Sequence, residues 1–167
     1  MISQQDKPLI RVSIPRQRLV LIADGLAIAE FPVSTAANGP GERMGSGCTP
    51  RGLHRIRAKI GSGSPVNTVF QGRRPTGEIY EQALAERYPD RDWILTRILW
   101  LSGLEPGRNR FHGVDTMRRY IYIHGCPDNL QMGVPLSHGC IRMRNTDVVY
   151  LFDQVSPDTL VEIGTSH

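Results

Sequence analysis

Residues 120–126 read Tyr-Ile-Tyr-Ile-His-Gly-Cys, and residues 137–144 read Ser-His-Gly-Cys-Ile-Arg-Met-Arg. A short polar linker joins them, so His124, Cys126, His138 and Cys140 fall within one short span. No other part of the chain gathers as many reactive side chains. Residues 120–123 alternate as a strand does: Ile121 and Ile123 point to one face, Tyr120, Tyr122 and His124 to the other. This puts His124 at a strand end, on the less apolar face. Cys140 follows a Ser-His-Gly turn and precedes a predicted helix. A thiol in a turn just before a helix is exposed and sits in a positive field, and both favour the thiolate. A Cys and a His meeting in space is the minimal arrangement for thiol nucleophilic catalysis.

Working outward, the rest of the chain is strand-rich. Leu9 to Ile14 alternates, with Ile10, Val12 and Ile14 on one face. Arg18 to Ala23 and Leu26 to Val33 form a hairpin around Asp24-Gly25, a two-residue turn signal because Gly accepts positive φ. Residues 34–50 are rich in Gly, Ser and Pro and read as a long loop, functional or mobile. Cys48 within it reads as a structural or incidental thiol rather than one with a part in chemistry. Gly52 to Ile60 is a strand, with His54 an ordinarily partnered strand residue. Residues 70–90 read as an insertion, a wall or lid over one end of the site or a plain surface excursion, with a short helix over Glu78 to Arg87. Trp93 to Leu101 is short, apolar and rich in branched and aromatic residues, which predicts a central strand. Asn145 or Thr146 is placed to cap a helix whose Val148, Leu151, Phe152 and Val155 form one buried stripe. Thr159 to Ile163 returns as a last strand. The expectation is one mostly-β domain over residues 1–167, with one or two short helices.

The chain has 167 residues, 40% hydrophobic and 22% charged, which fits one globular core and excludes disorder. No apolar run approaches the roughly 20 residues of a membrane span. The first residues lack a basic segment followed by an apolar one, so a cytoplasmic location is expected, or a periplasmic one if a leader has been removed. Three cysteines cannot all pair within one chain, and three reduced thiols are the simplest reading, although Cys48 with Cys126 is a conceivable pair. The net charge is +4, with Arg108, Arg110, Arg118, Arg119, Arg142 and Arg144 near the proposed site. That excess reads either as a solvated basic surface or as a field for an anionic substrate. The basic residues are not interleaved with an aromatic platform, so nucleic acid is not an expected partner.

Ser137-His138-Gly139-Cys140-Ile141-Arg142, preceded by His124-Gly125, resembles the signature of the L,D-transpeptidase catalytic domain, the YkuD-like family. Thr49-Pro50-Arg51-Gly52 resembles that family's Thr-Pro-x-Gly turn, and the likeness runs from about residue 9 to 163. It implies a YkuD-like β-sandwich without cofactor or metal. The nucleophile is then Cys140 rather than Cys126, which Pro127 follows directly. His124, 16 positions earlier, is the general base. The resemblance implies a backbone carbonyl at or near Gly125 as the acceptor that orients its ring. Gly139 and Cys140 N–H groups are candidates for an oxyanion hole. His138 and Ser137 shape the turn, and Arg142 and Tyr122 are candidate substrate-binding residues. Arg142 either holds a substrate carboxylate or serves a structural ion pair.

The implied reaction is acyl transfer on a peptidoglycan stem peptide, with attack on the L,D bond before a terminal D-alanine and formation of a Cys140 thioester. An amine acceptor makes the enzyme an L,D-transpeptidase; water makes it an L,D-carboxypeptidase that trims a tetrapeptide to a tripeptide. The signal-less form with its insertion resembles the cytoplasmic, muropeptide-recycling branch, which favours the carboxypeptidase. A remote alternative is a non-catalytic binding module in which His124, Cys126, His138 and Cys140 hold a structural zinc.

Overall fold

The computed structural model describes residues 7–165. The chain's first six residues, on which the leader reading turns, and its last two lie outside the described residues. Ten strands follow in the order β1 (Leu9–Ser13), β2 (Arg18–Ala23), β3 (Leu26–Pro32), β4 (Gly52–Ile60), β5 (Thr68–Gln71), β6 (Arg74–Ile79), β7 (Ile94–Gly103), β8 (Tyr122–Gly125), β9 (Ile141–Met143) and β10 (Leu160–Gly164). Two helices, α1 (Gln82–Arg87) and α2 (Asn145–Gln154), complete the domain. The fold is mostly β, as expected. Among the described residues no helix is long and apolar enough to cross a membrane.

All ten strands belong to one hydrogen-bonded sheet, along the path β3-β2-β1-β10-β4-β7-β5-β6, with β8 joining β7 and β9 joining β8. One main core draws on strands from both halves of this path. Ile10, Val12, Leu19, Leu21, Val161 and Ile163 of one half meet Leu99, Leu101, Ile123, Ile141 and Met143 of the other. The predicted stripe Val148, Leu151, Phe152 and Val155 seals this core from α2. The Asp24-Gly25 turn carries positive φ at both residues (53° and 76°), the geometry that matches the twist of a two-residue hairpin. β10 lies between β1, which it meets in parallel, and β4, which it meets antiparallel.

Five local expectations are corrected. The first strand of the quoted stretch begins at Tyr122, not Tyr120, because Tyr120 is left-handed (φ 56°) and breaks the pleat. Cys140 leads into β9, and α2 starts only at Asn145, because Ile123↔Ile141 and His124↔Arg142 pair in a parallel ladder. The helix of the 70–90 segment begins at Gln82; Glu78 and Ile79 end β6, whose partner is β5. Phe70 is no surface excursion: it is buried against Ile98 and Tyr122. Asn145 does not cap α2, whose N-cap is Arg144 without a side-chain cap bond, because the Asn145 amide is used elsewhere.

The 34–50 loop is tied down rather than free. Ser34 and Ala36 form bridges to Arg142 and Ser137. Ser34, Thr35, Ala36 and Thr49 are all buried. Backbone polar groups of a buried loop need partners, and these bridges supply them.

Candidate active site

The parallel β8–β9 pair has two faces of different character. Ile123, Ile141 and Met143 enter the main core, whereas Tyr122 packs with Phe70 and Ile98 in a second cluster that Cys140 borders. Alternation places Tyr122, His124, Cys140 and Arg142 on this second side. Cys140 lies across from Tyr122, whose N–H donates to Sγ at 3.3 Å; its thiol donates to the Tyr120 carbonyl at 3.4 Å. His124 sits one side-chain step further along the same face, about 7 Å away along the strand.

The imidazole of His124 is buried, and its Nδ1 lies 2.6 Å from the Gly125 carbonyl oxygen. A carbonyl only accepts, so Nδ1 carries the proton and the neutral ring keeps its lone pair on Nε2. Burial lowers the His124 pKa, against the Gly125 carbonyl and Asp92, which raise it. Burial also pushes the Cys140 thiol up to about 12, against the Tyr122 N–H and the charges of Arg142 and Arg119. Burial thus opposes the thiolate that a turn before a helix would favour, and the imidazole protonated at Nδ1 is neutral. The intervening β9 removes Cys140 from the helix terminus and half-buries it.

The turn before Cys140 is held from two sides. Ser137 Oγ donates to the Cys140 carbonyl at 2.5 Å and accepts the Gly139 N–H at 3.2 Å. Thr49 Oγ1 donates to the Gly139 carbonyl at 2.8 Å and accepts the Ala36 N–H at 3.0 Å. Gly139 has φ +134°, a conformation side-chain-bearing residues rarely adopt, and a Cβ there would press on the Cys48 carbonyl and on Ile121 at 3.3 Å each. The Thr-Pro-x-Gly turn thus braces the Ser-His-Gly-Cys turn.

A cavity of about 550 Å³ opens at Cys140, walled by Arg73, Asp92, Arg119, Tyr120, Tyr122 and His138 among others. His124 and Arg142 are not on its wall. Arg142 is nearly buried, with Nη2 3.3 Å from Asp92 and Nη1 donating to the Leu136 carbonyl at 3.3 Å. His138 is exposed, 3.7 Å from the same carboxylate. Tyr122 accepts a hydrogen bond from Arg73 at its hydroxyl. Asp92, Arg73 and the Tyr120 carbonyl escaped the sequence reading, since no spacing links them to Cys140; the only early signal was the placement of residues 70–90 near the site.

The four residues of the zinc alternative are not gathered. Cys126 is buried with its thiol on the Met143 carbonyl, His138 is exposed, and all three cysteines are free. Among the described residues no group of three or more His, Cys, Asp or Glu is placed to hold a metal ion.

The sequence profile of the YkuD family, the L,D-transpeptidase catalytic domain, matches residues 7–163. The chain belongs to this family. Probable L,D-transpeptidase ErfK/SrfK of Salmonella typhimurium is 49% identical over 45 residues, which is 27% of this chain and 15% of that protein. Probable L,D-transpeptidase YbiS of Escherichia coli K12 is 43% identical over 44 residues, 26% and 14% of the two chains. The matched segment is thus a small part of these relatives' length. The fold matches an L,D-transpeptidase from Mycobacterium smegmatis at TM-score 0.57 and 18% identity, covering 95% of this chain and 59% of that one. It also matches L,D-transpeptidase 3 from Mycobacterium tuberculosis bearing a faropenem-derived adduct, at TM-score 0.57 and 17% identity, covering 93% and 59%. The chain thus carries the L,D-transpeptidase catalytic domain over most of its length.

Proposed function

We propose that this YkuD domain cleaves the L,D bond before the terminal D-alanine of a peptidoglycan stem tetrapeptide and passes the acyl group to water. The observation that carries this is the tautomer-fixed, neutral His124 on the same strand-pair face as Cys140, which itself lines a cavity. Rotation about the Cys140 Cα–Cβ bond swings the S–H from the Tyr120 carbonyl toward His124 Nε2, a tightening that substrate binding supplies. Sγ attacks the carbonyl carbon of the third residue as its proton passes to Nε2. The Cys140 N–H stabilises the oxyanion, and the Gly139 N–H joins it on release from Ser137 Oγ. The C–N bond then breaks and His124 returns the proton to the departing D-alanine amine. A water, deprotonated by His124, attacks the thioester and regenerates the thiol.

Hydrolysis is favoured over amine transfer because the cavity has the volume of a single small-ligand site. Gly72 and Arg73 of the β5–β6 hairpin stand on its wall, which narrows the room for a second stem. Soluble muropeptides in the cytoplasm suit such a site. The second reading, crosslink formation, is favoured by the relatives named as probable L,D-transpeptidases. Incubation with soluble disaccharide tetrapeptide, with and without an amine acceptor, decides by mass analysis. Free D-alanine plus tripeptide at a rate indifferent to amine supports hydrolysis; mainly dimeric or amine-exchanged product replaces it with transpeptidation.

A further inference from the structure

We propose that Arg73, at the tip of the β5–β6 hairpin, is the carboxylate anchor of the Cys140 cavity; the identity of its ligand as a peptide substrate rests on the acyl-transfer reading above. Gly72 and Arg73 form a two-residue turn, both with positive φ (56° and 65°). The turn carries the Arg73 guanidinium onto a bed of aromatic rings, 4.6 Å from the Trp100 centroid and 4.8 Å from that of Tyr120. Nη1 donates to the Tyr122 hydroxyl at 3.1 Å. The stacked faces and this one bond fix the group, while most of its five in-plane N–H donors stay available. An arginine held in this way loses little conformational freedom when it grips a planar anion with two parallel bonds.

The other cations of the site are already committed. Arg142 is paired with Asp92. Arg119 donates to the Gly41 and Cys48 carbonyls and to Ser46 Oγ. Among the described residues Arg73 has no carboxylate partner within ion-pair distance, although it stands on the wall of the cavity that holds the nucleophile. A buried or half-buried cation on aromatic rings, without its own anion, is a receptor for one. The carboxylate-holding role weighed for Arg142 in the sequence thus passes to Arg73.

Two carboxylates of the substrate have this chemistry: the terminal one on the leaving D-residue and the side-chain one of the diamino acid. Kinetics on three peptides separates them: the natural tetrapeptide, its C-terminal amide, and its diamino-acid side-chain amide. Arg73→Gln should lower kcat/KM on the natural peptide by roughly 10- to 100-fold, the range for a lost hydrogen-bonded charge contact, and Arg73→Lys should recover part of it. On the amide lacking the anchored carboxylate, wild type and Arg73→Gln should converge, which names the source. Equal kcat/KM for wild type and Arg73→Gln on the natural peptide overturns the proposal, as does the same loss on both amides. Arg74→Gln, an exposed change on the same hairpin, should alter nothing. Alkylation of Cys140, mapped by peptide mass, tests the anion site without any acyl transfer. The iodoacetate-to-iodoacetamide rate ratio should fall several-fold in Arg73→Gln with the iodoacetamide rate unchanged; an unchanged ratio overturns the proposal even if the peptide is turned over. If no peptide is cleaved but the ratio falls, the anchor stands and the acyl-transfer reading fails.

Discussion

The hydroxyl of Thr96 donates to the side-chain oxygen of Asn145 at 2.6 Å, tying the bulge of β7 to the first residue of α2. Thr96 holds φ 76°, a strained conformation for a β-branched residue. The Asn145 amide donates in turn to the Cys126 carbonyl, Asn67 Oδ1 and Asp128 Oδ1. This network packs directly on Gly125, where a Cβ would come within 2.4 Å of Asn145 Oδ1. Gly125 is the residue whose carbonyl fixes the His124 tautomer. Asn145→Ala strips buried partners from Thr96 and the Cys126 carbonyl and should cost about 2–4 kcal/mol, read from the urea midpoint. It should also lower kcat, by loosening Gly125, more than it raises KM.

A second prediction concerns the brace on the other side. Thr49→Val removes the bonds to the Gly139 carbonyl and the Ala36 N–H in a buried setting, at a cost of about 2 kcal/mol. Thr49→Ser keeps the hydroxyl and should retain most of the stability and activity. Thermal unfolding and initial rates on the two variants provide the check.

The thiols divide sharply. Cys140→Ala should abolish turnover and adduct formation by a carbapenem-type lactam. Cys126→Ser should keep most activity, because Cys126 is buried away from the cavity and bonded to the Met143 carbonyl. Intact-protein mass spectrometry with peptide mapping should place the lactam on Cys140; a wild-type rate in Cys140→Ala would reassign the nucleophile.

Acid should act on stability through both buried histidines, His54 and His124, and on rate through His124. Burial lowers the pKa of His54 to about 4, against its bond to the Gly52 carbonyl. A histidine with a depressed folded pKa takes up its proton more readily when unfolded, so protonation favours unfolding. Stability should be full above about pH 6.5, the ordinary histidine value, and fall as pH drops toward 4, with about 3 kcal/mol at stake for His54. Urea midpoints at pH 7.5, 5.5 and 4 measure this, and His54→Gln should flatten the curve. The His124 pKa is lowered too, so the acid limb of kcat/KM should lie below pH 6.5, reporting the coupled Cys-His pair. His124→Asn should remove the limb with most of the activity.

Much of the fold was legible because it is written in short-range periodicity. The spans of β2 and β4 match their alternating residues, and the α2 stripe falls on the core. Tyr120 shows where that logic fails: it continues the alternation of Ile121 and Tyr122, yet its left-handed turn lends a carbonyl to the thiol. Asn145 resembles a cap by position, but its partners lie as far back as residue 67. Asp92 and Arg73 reach the site only through pairing of β5, β6 and β7, a long-range event that no local spacing encodes.

The place of β10 has a consequence for how the molecule is made. Every side chain around Cys140 and His124 has been synthesised by the end of α2, yet β1 and β4 are still unjoined until residues 160–164 slot between them. Until then both inner strands present open edges, the kind that recruit neighbouring chains. A chain that ends before β10 therefore carries the whole reactive inventory but not the continuous sheet that holds it in position. Positioning of the site is thus expected to wait for β10 to pair, and a chain stopped before residue 160 should be inactive.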